Sequence, residues 1–196
     1  MKKKARLSVD IPTIEEVENE QKRLRHQEAY RKTLRGTIAV LIVVAAVSVL
    51  VATLWMPVLQ IYGSSMSPTL EAGQIVVSVK TNQLKTGEVV AFWQGNKLLV
   101  KRVIAGPGQW VDIDMDGNVT VDGKELTEDY LDVKALGNCD VELPHQVEES
   151  RWFLMGDNRD VSVDSRSVAI GDVSKDQIEG KIVFRIWPLK EFGSMQ

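Results

Sequence analysis

The sequence is short of the residues that most often build a site or brace a secreted fold. Its one cysteine, Cys139, cannot close a disulfide within the chain. A domain facing an oxidising compartment must then rest on its own core. The surroundings of Cys139 (LGNCDVELPH) give no support for a nucleophile, even with His145 close in sequence, and a loop cysteine is the simpler reading. Histidine is almost as scarce, with His26 and His145 the only two. A Ser-His-Asp triad is therefore hard to assemble. No cysteine–histidine cluster has metal-ligand spacing, and no glycine-rich phosphate loop is present. Neither a metal nor a nucleotide cofactor is expected. Internal repeats and low-complexity tracts are missing too.

Charge is absent from residues 36–70. Within that stretch residues 37–56 read TIAVLIVVAAVSVLVATLWM. A helix of this length, at about 1.5 Å per residue, spans about 30 Å, the thickness of a bilayer core. Its polar members, Thr37, Ser48 and Thr53, can all bond back to helix carbonyls. A cleaved secretory signal has a shorter core, of roughly 7–15 residues, and ends in a small-x-small site. This run ends in Trp55-Met56-Pro57 instead. A buried core helix is the other alternative, but a helix apolar on every face needs a large protein around it. Residues 1–35 carry ten Lys and Arg against six Asp and Glu, and residues 57–196 carry fourteen against twenty-one. The basic side stays cytoplasmic. Three parts are expected: a cytoplasmic tail (1–35), one transmembrane helix (36–57) and an extracytoplasmic domain (58–196). In the tail, Thr13 and Glu16 fit a capping box, and Glu18 and Lys22 stand four apart. The run Lys2-Lys3-Lys4 is a topology signal or a contact for acidic lipid.

After Pro57 the pattern changes to short β-rich segments between turns. Residues 74–80 (QIVVSVK) and 88–93 (EVVAFW) are rich in β-branched and aromatic residues. Residues 94–97 turn the chain, and 98–105 (LLVKRVIA) return as a hairpin. WVDI, NVTV and KEL follow, spaced by the hairpin signals Asp116-Gly117 and Asp122-Gly123. Residues 124–150 are irregular and acidic; strand character resumes at 151–155 and 181–187, with a brief helix near 174–178. The expected fold is mainly β, an antiparallel barrel or sandwich behind one helix.

Three clusters carry chemistry: residues 63–70 (GSSMSPTL), Lys101-Arg102, and residues 156–166 (GDNRDVSVDSR). In a strand, Leu99, Lys101 and Val103 share a face. A lysine between aliphatic neighbours is desolvated, its pKa falls from about 10.4, and its neutral amine is a competent base. The alternative is an edge-strand lysine whose stem lies on apolar surface while its head reaches water. A serine in a serine-rich turn is a nucleophile only if something takes its proton; otherwise it is a turn residue. A serine–lysine pair needs no histidine. The third cluster is either a solvated loop or, with Asp157 and Asp160 beside Arg159 and Asp164 two from Arg166, a rigid paired platform.

Taken in order, Ser65-Met66-x-Pro-Thr-Leu, Thr86-Gly-Glu-Val-Val-Ala-Phe, Val100-Lys-Arg-Val-Ile-Ala-Gly-Pro-Gly and Gly156-Asp-Asn-Arg-Asp-x-Ser-x-Asp-Ser-Arg resemble the motif set of bacterial type I signal peptidases. The resemblance runs from residue 36 to about 190, behind one N-terminal span. It implies a largely β catalytic domain with a small β insertion at about 111–150. It also implies that Ser65 is the nucleophile, Lys101 its base, and an acyl-enzyme on Ser65 the intermediate. Ser162 would position the lysine, Asp164 and Arg166 would brace the site as an ion pair, and Asn158 would support it. The Ser65 N–H would donate to the oxyanion. The substrates implied are secretory preproteins, cut after a small-x-small site at the surface of the cell membrane; Ser65 stands only nine positions after Met56. No nucleic acid and no metal is implied. The chain departs from the fullest family pattern at Val161, Ala105 and Gln109, and at Gly63, where some members carry a hydroxyl. Glycine there, with the single span and short insertion, is Gram-positive-like.

Two other readings compete. A repressor-type autoprotease also uses serine and lysine, but needs a DNA-binding segment and no span. A membrane-tethered binding domain has no reason to keep Ser65, Lys101 and Ser162 together; cleavage of a preprotein blocked by Ser65→Ala separates it from an enzyme. In an extended segment Gly63 and Ser65 share a face, so a hydroxyl at 63 reaches the oxyanion and Gly63→Ser keeps activity. If glycine instead serves a positive φ, Gly63→Ala and Gly63→Ser lose processing equally.

Overall fold

The computed structural model describes residues 13–81 and 83–195. The chain divides after Val51 into two units. The first holds all but the last turn of α1, which runs from Ile14 to Trp55 and buries no residue. It starts at the expected capping box, where Thr13 N donates to Glu16 Oε2 at 2.9 Å and Glu16 N to Thr13 Oγ1 at 3.4 Å. Among the described residues, the ion pair on this helix is Glu20–Arg23 at 2.8 Å, in place of Glu18–Lys22. Ser48 Oγ donates to Val44 O and Thr37 Oγ1 to Thr33 O, so these hydroxyls are satisfied inside the helix. By length and composition α1 can cross a membrane. Lys2-Lys3-Lys4 lies outside the described residues.

The second unit is antiparallel β. Its first strands are β1 (Val58–Gln60), β2 (Ile75–Val79), β3 (Val89–Gln94), β4 (Lys97–Ala105), β5 (Trp110–Ile113) and β6 (Val119–Val121). The others are β7 (Lys124–Glu125), β8 (His145–Gln146), β9 (Arg151–Met155), β10 (Val173–Ser174), β11 (Ile178–Trp187) and β12 (Gly193–Ser194). The larger sheet runs β1-β2-β11-β3-β4-β9-β10, with β12 beside β11. The smaller runs β7-β6-β5-β8 and lies wholly in the connection between β4 and β9. The larger sheet is open, which corrects the barrel expectation: its ends, β1 and β10, are not paired to each other. The brief helix is a single 3₁₀ turn, Lys175–Gln177.

Local chemistry accounts for the turns. Asp122 (φ 51°) and Gly123 (φ 74°) join β6 to β7 as a two-residue loop with both residues left-handed, the type I′ geometry that Asp-Gly favours. Asp116-Gly117 belongs instead to a longer loop, closed by Asp114 N donating to Asn118 O at 3.1 Å.

The central strands are buried on both faces and therefore read as unbroken apolar runs. Along β3, Val89 and Ala91 join Ile61, Met66, Leu70, Val76 and Ile182, while Val90 and Phe92 join Val103, Trp152, Leu154 and Val173. A third cluster sets Ile104, Ala105, Phe153 and Met155 of the larger sheet against Val111, Ile113, Val119 and Val121 of the smaller. Phe153 is fully buried at this junction. Phe153→Ala is expected to cost about 3–5 kcal/mol of stability, read as a lowered unfolding midpoint of the full chain in detergent.

Candidate active site

The turn after β1 and the middle of β4 meet at one point. Ser67 N donates to Ser64 O at 3.1 Å and Leu70 N to Met66 O at 2.8 Å, which coils residues 64–70 into consecutive turns. Met66 and Leu70 anchor those turns in the core. Ser65 is left half-exposed, and its Oγ lies 2.7 Å from Lys101 Nζ. Lys101 sits opposite Val90 in the sheet and is only 3% exposed. The strand lysine is therefore buried, and its head does not snorkel to water. Burial pushes its pKa below the ordinary 10.5; Asp164 and Asp157 pull the other way, and Arg166 adds to the lowering. Beside the pair is a small cleft of about 80 Å³, lined by Ile61, Tyr62, Gly63, Met66, Leu99 and Val100 among others.

The loop after β9 supports Ser65 from behind. Asn158 N donates to Ser65 O at 3.1 Å, and Ser162 N to Asn158 O at 3.0 Å. Ser162 is buried, but its Oγ makes no hydrogen bond, to Lys101 or to any other group. The hydroxyl still lies close enough to Asp164 to favour its ionised form slightly, at a geometry too poor to count as a bond. At Gly156 an added Cβ would come within 2.2 Å of Ser162 Oγ and 2.5 Å of Ser65 O. Only glycine lets these two segments approach so closely.

Asp164 and Arg166 form a bidentate pair, with Nε–Oδ1 and Nη2–Oδ2 both at 2.9 Å and both side chains fully buried. Gly156 N also donates to Asp164 Oδ2 at 2.9 Å. Burial alone raises the Asp164 pKa, but the Arg166 bonds and charge and the Gly156 N–H outweigh it, so the carboxyl stays below its usual range. The partners of the other charges differ from those their sequence neighbours suggest. Asp157 accepts from Arg102 at 2.8 and 2.6 Å, Arg159 pairs with Glu128, and Asp160 is exposed.

The family described as signal peptidase, peptidase S26, matches residues 33–187. The chain belongs to the signal peptidase family. Signal peptidase IB of Staphylococcus aureus (strain COL) is 39% identical over 67% of this chain and 78% of its own length. Signal peptidase I of Bacillus licheniformis is 33% identical over 78% of this chain and 88% of its own. A solved signal peptidase I from Enterococcus faecalis V583 gives a TM-score of 0.43 at 25% identity, covering 52% of this chain and 98% of that one. As a member of the signal peptidase family the chain is a serine endopeptidase. Sequence reasoning missed Glu128 and Tyr130 and gave Thr69, though inside the 65–70 motif, no role of its own; their contacts with Arg102 and Arg159 cross from separate segments.

Gly63 calls for a correction. Its φ is +80°, so the segment is bent and the extended geometry that put residues 63 and 65 on one face does not hold. A Cβ there would meet nothing within 4 Å, so any cost of substitution is backbone strain. Gly63→Ser and Gly63→Ala are both expected to lose about 1 kcal/mol and to lower processing alike, checked by thermal unfolding and preprotein cleavage. For the buried pair, Asp164→Asn and Arg166→Met should be non-additive by about 0.5–3 kcal/mol in a stability cycle. Because the folded Asp164 pKa is depressed, its contribution is complete above about pH 4 and fades as pH falls through the lower folded value. An acid titration of stability, steeper in the parent than in Asp164→Asn, reads that sign.

Proposed function

We propose that Ser65 and Lys101 are the nucleophile and general base with which this peptidase removes signal peptides. The observation carrying the assignment is the 2.7 Å approach of Lys101 Nζ to Ser65 Oγ where burial disfavours the ammonium. In the ammonium form Nζ donates to Oγ; in the neutral amine the same contact lets the hydroxyl donate to the nitrogen lone pair. Ser65 Oγ attacks the scissile carbonyl as its proton passes to Nζ. The C–N bond then breaks, Nζ returns the proton to the leaving amine, and an ester on Ser65 remains. Water attacks that ester with Lys101 again as base, releasing the carboxylate and restoring the hydroxyl. The Ser65 N–H is the proposed oxyanion donor. Ser162, whose Oγ bonds to neither Lys101 nor any other group in this structure, is proposed to turn toward Nζ and position the lysine when substrate is bound, and Asn158, Asp164 and Arg166 are proposed to brace the loop around it.

The small cleft beside the pair suits alanine-sized side chains, in keeping with secretory preproteins cut after small-x-small sites. The apolar part of α1 is the proposed single anchor in the cell membrane. By the charge balance of its flanks, residues before it are cytoplasmic and the peptidase domain is extracytoplasmic.

Ser65→Ala and Lys101→Ala should each abolish cleavage of a preprotein by a folded domain. Lys101→Arg should fail as well, since guanidinium stays protonated. Because burial lowers the Lys101 pKa, the rate should rise with pH through a value below 10.5. A rate flat from acid to alkali, or an active Lys101→Arg, would remove lysine from the role of base.

A further inference from the structure

Between β7 and β8 the chain runs without regular structure, and it sends one buried side chain, Glu128, and one half-buried, Tyr130, into the base of the site. Glu128 is 6% exposed and pairs with Arg159, which is 1% exposed. Tyr130 lies with its ring 3.8 Å from the Arg102 guanidinium centre, and its Oη donates to Glu128 Oε1 at 2.8 Å. These two arginines are where the catalytic segments are joined. Arg102 follows Lys101 directly. Its Nη2 donates to Thr69 Oγ1 at 3.1 Å, in the turns that begin at Ser65, its Nη1 donates to Gly87 O at 2.6 Å, and its Nε and Nη2 hold Asp157. Arg159 Nε donates to Gly156 O at 3.1 Å, and Gly156 abuts Ser65 O.

We propose that Glu128 and Tyr130 are positioning residues for catalysis, a clamp that fixes Arg102 and Arg159 and thereby holds β4 and the Ser65 turn at reacting distance. The proposal rests on the serine–lysine reading above. The hydrogen bonds of Arg102 lie in its guanidinium plane and leave the flat face bare, and an aromatic ring is the side chain that covers a flat cation while excluding water. Glu128 serves both arms of the clamp, taking Arg159 with its charge and Tyr130 with a lone pair. Burial and the neighbouring Glu128 charge raise the Tyr130 pKa well above 10, so the hydroxyl remains a donor throughout the working range. Neither residue lines the cleft beside Ser65, so neither is a catalytic residue.

The test uses the full chain in detergent micelles, cleaving a model preprotein across a range of pH, with turnover referred to folded enzyme. Tyr130→Leu should lower kcat roughly 10-fold to 100-fold, as small misplacements do, with little change in KM. Its rising limb should move to higher pH, because a loosened β4 admits water to Lys101 and relieves the desolvation. Tyr130→Phe keeps the ring over Arg102 and should recover most of the turnover with an unmoved profile. In an Arg102→Lys background, Tyr130→Leu should cost little more. Full kcat in Tyr130→Leu overturns the proposal. So does a loss tracking only the folded fraction with the profile in place, or losses that simply add in the double variant. If Tyr130→Leu does not fold, Glu128→Gln reads the same clamp through Arg159. Lys101→Ala run in parallel keeps the two ideas apart: its activity would sink the dyad, whereas the additivity of Tyr130 with Arg102 judges the clamp whichever residue is the base.

Discussion

An amine works as a base at moderate pH only where its charged form is kept uncomfortable, and with Lys101 as the proposed base that condition accounts for how the rest of this domain is arranged. Lys101 is taken out of water by the strand it belongs to, opposite Val90, with its nitrogen against Ser65. Two carboxylates, Asp164 and Asp157, lie near enough to recharge it. Each is held in both its oxygens by its own arginine, Asp164 by Arg166 and Asp157 by Arg102. The acids can thus organise backbone around the site while much of their field is cancelled before it reaches the amine. Buried ion pairs gain little net stability, since desolvation offsets attraction. Three of them packed into one loop and its neighbours make sense as fixed geometry and local neutrality.

The sheets supply the rigidity that this balance needs. β3 is sandwiched between two apolar clusters, and β4, its partner, carries Lys101 and Arg102 with no freedom to slip. A one-residue shift of register would exchange their faces. The smaller sheet is tied in through the cluster around Phe153, so the strap that bears Glu128 leaves a fixed base.

Much of this was legible from local pattern. β-Branched runs placed the strands from β2 to β7 and β9 within a residue or two and β11 within three, but missed the short β1, β8, β10 and β12; Asp122-Gly123 gave its hairpin, and Thr13 with Glu16 gave the helix start. The neighbourhood of Ser65 with Lys101 was legible only through the ordered motifs, since nothing in residues 63–70 by themselves points to β4. What could not be read was long-range pairing of charges. Asp157 and Asp160 flank Arg159 in sequence, yet the backbone aims Asp157 at Arg102 and leaves Arg159 to Glu128, thirty-one residues away. Open sheet against closed barrel was likewise undecidable, because strand pattern reports burial and not which edges meet. The backbone at Gly63 was misread for a related reason: glycine permits both an extended path and the left-handed one it adopts.

The scattering of the site along the chain has a consequence for when it comes alive. Ser65 and Lys101 are both made well before Glu128, and Glu128 before the 156–166 loop. Until that loop emerges and packs, a lysine at position 101 is wet and ionises near its ordinary value of about 10.4, so it keeps its own proton and, as the proposed base, takes none from Ser65. Hydrolytic power arrives with the closing of the fold and not with the synthesis of the reacting residues. On the serine–lysine reading, a half-made copy is in this way without peptidase activity.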